Sequence, residues 1–215
     1  MILGGRQDSR LREGGSSVTD SQHPWLAGSA VPQEAPPPRA RRELPRPAAP
    51  QPGVPAPDHA DRLPRRDVNR PAPLWWLGVH GGAGESTLAN LVAGSRTAGH
   101  AWPIGYDDAT TNIVLVARSN ASGLAAAQRA AIEWASGVLP SVNLLGLVII
   151  ADAPGKLPKP LRELAHLVSG GVPHAWHIPW IEAWRLGETP NPEHAPKDVR
   201  TLISAVSALT NTTSA

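Results

Sequence analysis

Residues 74–88 read Leu-Trp-Trp-Leu-Gly-Val-His-Gly-Gly-Ala-Gly-Glu-Ser-Thr-Leu: an apolar run, a cluster of glycines, then a stretch that suits a helix. An unbroken apolar run of this length, ending in glycine, predicts a buried strand. Leu88, Leu91 and Val92 then fall at the spacing of one helical face, which predicts a helix over 86–98. The glycines therefore sit in the turn from a buried strand into a helix. Backbone amides there can turn inward as an anion nest, with the positive end of the helix dipole beside them.

Outward from this unit the same alternation continues. Apolar runs predict strands at 112–117 and 144–150, a strand at 174–178, and a short edge strand at 102–105, where Pro103 removes a ladder donor. Helices are expected over 123–136, with Gly137 as a left-handed cap, over 158–168, over 181–186, and from Pro196 onward. In the last of these Val199, Leu202, Ile203 and Val206 form one apolar stripe. Strands that are apolar throughout and alternate with helices predict an α/β domain over 74–215, with a mostly parallel sheet and helices on both faces.

The loop His80, Gly81, Gly82, Ala83, Gly84, Glu85, Ser86, Thr87 resembles the variant Walker A motif of the ParA/MinD-type ATPases, K-G-G-x-G-K-[ST]-T. It also resembles the H-G-G-A-G-x-S-T-L loop of an actinobacterial subgroup. Residues 113–127 look like that family's strand and helix after its switch II region, and 172–188 resemble its late strand, Ile-Pro and helix segment. The resemblance spans about 74–209 and implies a truncated P-loop NTPase-like fold, with ATP and magnesium as the ligands if any bind. Gly81, Gly82, Gly84, Ser86 and Thr87 match the motif, but its two lysines are replaced by His80 and Glu85.

By resemblance, the first lysine reaches a neighbouring subunit's nucleotide and the second touches the β- and γ-phosphates. Glu85 turns attraction into repulsion there, a change involving about 4 kcal/mol for one charge pair at 4 Å and an effective dielectric of 20. The interval before Ile113 is also too short for the family's two further strands and switch regions, and its acids are Asp107 and Asp108. Phosphoryl transfer needs positioned cations and an oriented nucleophile, so hydrolysis is not expected and no residue is assigned a catalytic role. Glu85 is expected to favour the helix start or to fill the empty phosphate site, and His80 to be satisfied by a neighbour.

Residues 147–155, Leu-Val-Ile-Ile-Ala-Asp-Ala-Pro-Gly, admit two placements. As a switch strand they would make Asp152 a magnesium ligand through water and Gly155 a γ-phosphate sensor. The favoured placement instead ends the strand at Ile150 near the base-binding edge, with Asp152 as a strand-end turn residue.

The remaining chemistry is sparse. The chain has no Cys, and His174 and His177, three apart on a strand, face opposite sides, so no metal site is expected. With eight Trp and no Phe, tryptophan must supply the aromatic core. Trp180 and Trp184 would share a face of a helix beginning after Pro179, and one or two tryptophans mark a possible partner surface.

Residues 1–73 differ in kind. They hold 14 of the 24 prolines, 11 Arg and no Lys against 8 acids, with almost no apolar periodicity, and so predict a disordered Pro/Arg-rich arm. Nucleic acid contact is expected only through this arm, by Arg39, Arg41, Arg42, Arg46, Arg65 and Arg66, and the interspersed acids weaken it. No apolar run is long enough for a transmembrane helix and the start lacks a signal peptide's apolar segment, so a cytoplasmic protein without membrane insertion is expected. The functional expectation is a degenerate ParA/MinD-like binding or regulatory module, with a protein partner or a homodimer. The alternatives are an ATPase activated by a partner in DNA partitioning, conjugation or protein positioning, and an adaptor with no nucleotide role.

Overall fold

The computed structural model describes residues 45–106 and 109–213. The elements in chain order are a 3₁₀ turn His59–Asp61, β1 Arg65–Val68, β2 Trp75–Gly78, α1 Glu85–Ala89, β3 Arg96–Thr97, β4 Trp102–Gly105, β5 Thr111–Arg118, α2 Ala121–Ala135, β6 Val142–Ile150, α3 Lys159–Gly170, β7 Ala175–Ile178, α4 Glu182–Arg185 and α5 Lys197–Thr213. The main sheet runs β3-β2-β5-β6-β7 with every neighbouring pair parallel.

Both faces of this sheet are covered, which is why its central strands are apolar at every position. Ile113, Leu115 and Ala117 of β5 point to one core, shared with Leu124 and Trp134 of α2 and Val168 of α3. Val114 and Val116 point to the other, shared with Leu88 of α1 and with Val199, Leu202 and Val206 of α5. The register of β5 against β6 slips by one residue between Ile113 and Val114, where Gly146 enters the ladder. A side chain at Gly146 would strike the His174 carbonyl and the Trp176 ring. Trp75, Trp76, Trp102 and Trp134 are all buried, so tryptophan does supply the aromatic core.

Two sequence-based boundaries move, and one strand finds a different partner. The helix expected over 86–98 stops at Ala89. The Ser95 hydroxyl donates toward the Ala89 and Val92 carbonyls, Gly94 adopts φ +76°, and Arg96–Thr97 joins β2 as an edge strand through the bond from the Arg96 amide to the Leu74 carbonyl. The expected strand at 102–105 exists, but it pairs with β1 outside the main sheet. The helix near Trp184 begins at Glu182, so Trp180 precedes it and donates its indole N–H to the Glu182 carboxylate at 2.6 Å.

The boundary drawn at Leu74 cuts through this unit, because residues 45–73 are part of it. β1 runs parallel to β4, and Leu63, Val68 and Ala72 pack against the core beneath α2. The Leu63 amide and the Trp102 indole both donate to one oxygen of Glu133, at 3.1 and 2.9 Å. Arg65 and Arg66, expected on a free arm, donate to the carbonyls of Val138 and Ala98. Residues 1–44 of the expected arm, with Arg39, Arg41 and Arg42, lie outside the described residues, as do Asp107 and Asp108. No helix among the described residues is long and apolar enough to cross a membrane.

Candidate functional site

Counted within the main sheet, the strands follow the order 2-1-3-4-5, reversing direction of progress between β2 and β5. In open parallel sheets the crevice beyond the carboxyl ends of the strands, at such a reversal, is where ligands bind. The glycine loop leaves β2 at this point. Gly82 and Gly84 hold φ +72° and +106°, backbone that side chains rarely tolerate. Ala83 is buried and donates to the His80 carbonyl. Among the described residues no group accepts from the amides of Gly81, Gly82, Gly84, Glu85, Ser86 or Thr87.

The two positions at which the loop differs from the Walker A motif it resembles are both engaged internally. Glu85 is 8% exposed and accepts the Gly78 amide at 2.8 Å. Its other oxygen lies 4.0 Å from His100 Nε2, and His100 Nδ1 in turn meets the Gly78 carbonyl at 2.7 Å. The carboxylate is thus turned back onto the end of β2. His80 accepts the Arg118 amide at Nε2, 3.0 Å, which places the ring proton on Nδ1, 2.9 Å from the Gly81 carbonyl. It is a satisfied loop histidine, locked to the next strand.

Arg118, at the end of β5, spans from this loop to its neighbour. Its Nε donates to the Gly82 carbonyl at 3.1 Å and its Nη1 to the Ala151 carbonyl at 3.2 Å. Partial burial lowers its pKa from the ordinary arginine value, with Asp152 opposing and Arg185 reinforcing that shift. Beyond Ala151 a crevice of about 500 Å³ opens over the carboxyl ends of β5, β6 and β7. Its apolar lining takes Ile149 and Leu161 from one face of the sheet and Ile178 from the other, and its polar groups include Ser119, Asn120, Asp152, Lys156, His177 and Asp198. Partial burial, and secondarily the charge of Arg46, lower the His177 pKa below the usual imidazole value.

Asp152 and Gly155 both line this crevice. The Asp152 amide is held by the Ser119 hydroxyl at 3.0 Å, and Gly155 turns the chain with φ +90°. β5 stands between β6 and β2, so the strand bearing Asp152 lies two strand spacings, roughly 9–10 Å, from the one bearing the glycine loop. No cluster of three or more His, Cys, Asp or Glu able to hold a metal exists among the described residues. His174 precedes β7, stacks on Trp176 and meets the Leu145 carbonyl through Nδ1.

Sequence reasoning missed Arg118, Asn120 and His100. The first two follow the last apolar residue of a central strand, the position where α/β sites gather, and that rule would have found them. His100 carries no local signal; it reaches Gly78 through a loop held at φ +60°.

Residues 72–203, well over half of the chain, match the profile of the family of unknown function DUF6668, and the chain belongs to that family. No curated protein and no solved structure matches it.

Proposed function

We propose that this chain is a degenerate relative of the ParA/MinD-type ATPases, a binding or regulatory module that keeps the glycine loop, grips nucleotide weakly or not at all, and does not hydrolyse it. The observation that carries this reading is the Glu85–Gly78 bond. At the place where the motif's second lysine would meet phosphate, this chain has an anion committed to its own backbone. The loop keeps the amides that would face an anion, but it offers no lysine to neutralise a triphosphate.

ATP with magnesium does not fit the residues present. The loop carries no lysine to meet the phosphates, and the Glu85 carboxylate sets a negative charge beside them. A partner supplying a cation would still meet the Glu85 carboxylate beside the phosphates, which favours the regulatory reading over a partner-activated ATPase. With hydrolysis gone, the scaffold's remaining use is recognition, of a protein partner or of a second copy.

Calorimetric titration with Mg-ATP, together with phosphate release, tests this. The expected result is affinity no tighter than millimolar and no steady release. Replacing His80→Lys and Glu85→Lys together should strengthen Mg-ADP binding by about tenfold or more, because repulsion becomes attraction. Tight binding by the natural chain with sustained turnover would overturn the reading.

A further inference from the structure

Residues 45–73 are attached to the domain differently from the rest of it. No side chain in this stretch is fully buried; Leu63, Val68 and Ala72 pack only in part against the core. What holds the stretch is polar. β1 pairs with β4 outside the main sheet, and the Trp102 amide donates to the Pro64 carbonyl. The Leu63 amide meets Glu133, Arg65 and Arg66 reach the Val138 and Ala98 carbonyls, and the Gln51 amide reaches the Ala135 carbonyl. Hollows of about 570 and 200 Å³ remain between 59–65 and α2, one against Glu133 and one against Ala126 and Ala130. A segment that buries little apolar surface and rests on a few hydrogen bonds opens before the domain unfolds.

The link from this segment to the main sheet is short and stiff. Residues 69–73, Asn-Arg-Pro-Ala-Pro, make no backbone–backbone hydrogen bond among the described residues. Asn112 of β5 pins their far end by donating to the Pro73 carbonyl at 3.2 Å. Pro71 and Pro73 fix their own φ and keep Arg70 and Ala72 extended. A short link of that kind resists folding back on itself, and such hinges favour exchange of the element they carry between two copies.

We propose that 45–68 is an exchangeable strap. In a dimer each copy lays its β1 beside β4 of the partner subunit and sends its Leu63 amide to Glu133 of the partner subunit. The occupant is a second copy because the seat is already matched to this segment: Leu63, Arg65 and Arg66 meet Glu133, Val138 and Ala98 within four residues of chain. Every contact of the closed monomer is remade in the dimer except at the hinge, so hinge conformation and protein concentration set the balance. The exchange is reciprocal and therefore closes as a two-fold dimer. The inference rests on the reading above in taking recognition as the scaffold's use, and it needs nothing from the glycine loop.

The chain has no Cys, so introduced thiols report the exchange directly. Asp67 and Ile104 are register partners between β1 and β4. Asp67→Cys and Ile104→Cys are made in separate copies, incubated together at high concentration and oxidised. The expected product is a disulfide from position 67 of one chain to position 104 of the other, identified by mass spectrometry. Sedimentation of the natural chain should show a dimer whose share rises with concentration. With both substitutions in one chain, oxidation in dilute solution should close the strap and hold the protein monomeric where its reduced form dimerises. Glu133→Gln weakens the same bond in monomer and dimer alike. It should speed their interconversion about fivefold and leave the dimer share nearly unchanged, a split that a dimer formed through another surface would not show. A chain that stays monomeric at every concentration, a dimer without the link from 67 to 104 between chains, or a dimer undiminished in the internally linked double variant would overturn the inference. None of these measurements involves nucleotide, and the Mg-ADP titration of the His80→Lys and Glu85→Lys variant reports on the loop separately, so either reading can fail alone.

Discussion

Glu85 Oε2 accepts the backbone amide of Gly78 across a buried 2.8 Å bond, joining the first turn of α1 to the last residue of β2. Glu85 stands where the resembled Walker A motif has a lysine, and it is also the residue that holds the loop's two ends together. A side chain at Gly78 would come within 3.2 Å of this carboxylate and 3.1 Å of the His100 ring, so the bond depends on the glycine as well.

Glu85→Ala strands a buried N–H, and the expected cost is about 2 kcal/mol. Glu85→Gln keeps an acceptor of similar reach but loses the charge, and should cost about half as much. Urea unfolding of the two variants against the natural chain measures this, and equal stabilities would show that the bond contributes nothing.

Gly123→Ala should destabilise the protein by about 2–3 kcal/mol, although Gly to Ala within a helix ordinarily gains about 1. The added methyl would strike the Arg118 carbonyl and lie 2.9 Å from His80 Nε2. Since the Arg118 carbonyl is backbone, adding His80→Ala should not restore stability. Thermal melts of the single and double variants decide the point.

Glu133 is 1% exposed and receives the Trp102 indole and the Leu63 amide on one oxygen. Glu133→Ala is expected to cost about 3 kcal/mol, because two donors lose their acceptor in a dry site. Hydrogen exchange should quicken in β1 and β4 before it does in β5 and β6. A chain beginning at Leu74 should be less stable than this variant, since it also loses the strand that pairs with β4.

His177 supplies the pH dependence. Its pKa is lowered in the fold, by partial burial and then by Arg46. As pH falls below the ordinary imidazole value the unfolded chain takes up a proton that the folded chain resists. Stability therefore declines through the window from that value down to the lowered one, and is regained as pH rises. His177→Gln should flatten the unfolding free energy across this window, and Arg46→Ala should narrow it. A slope unchanged in His177→Gln would assign the effect to other groups.

Much of the fold was legible because it rests on local pattern. The continuous apolar runs at 112–117 and 144–150 could only be strands covered on two faces, and Gly137, expected as a left-handed cap, holds φ +78°. The stripe of Val199, Leu202 and Val206 lies against the second core. The errors fell where distant partners decide. Residues 45–73 carry few apolar side chains, yet Leu63 and Val68 find the core, and the backbone of β1 finds β4. The helix expected over 86–98 has adequate periodicity but ends at Ala89, and the rest of that span goes to a turn closed by the Ser95 hydroxyl and to a sheet edge.

Read alone, the sequence determined that a glycine loop joins a buried strand to a helix and that this loop has no lysine, because both follow from residue identity and local order. Only the tertiary structure decided where Glu85 turns, what satisfies His80, and that Asp152 opens onto a crevice over the ends of β5, β6 and β7. Those outcomes depend on hydrogen bonds from Gly78 and Arg118 and on the order of strands in the sheet. The bond from the Arg118 amide to His80 reaches across 38 positions of chain, beyond the range over which a local pattern of side chains carries information.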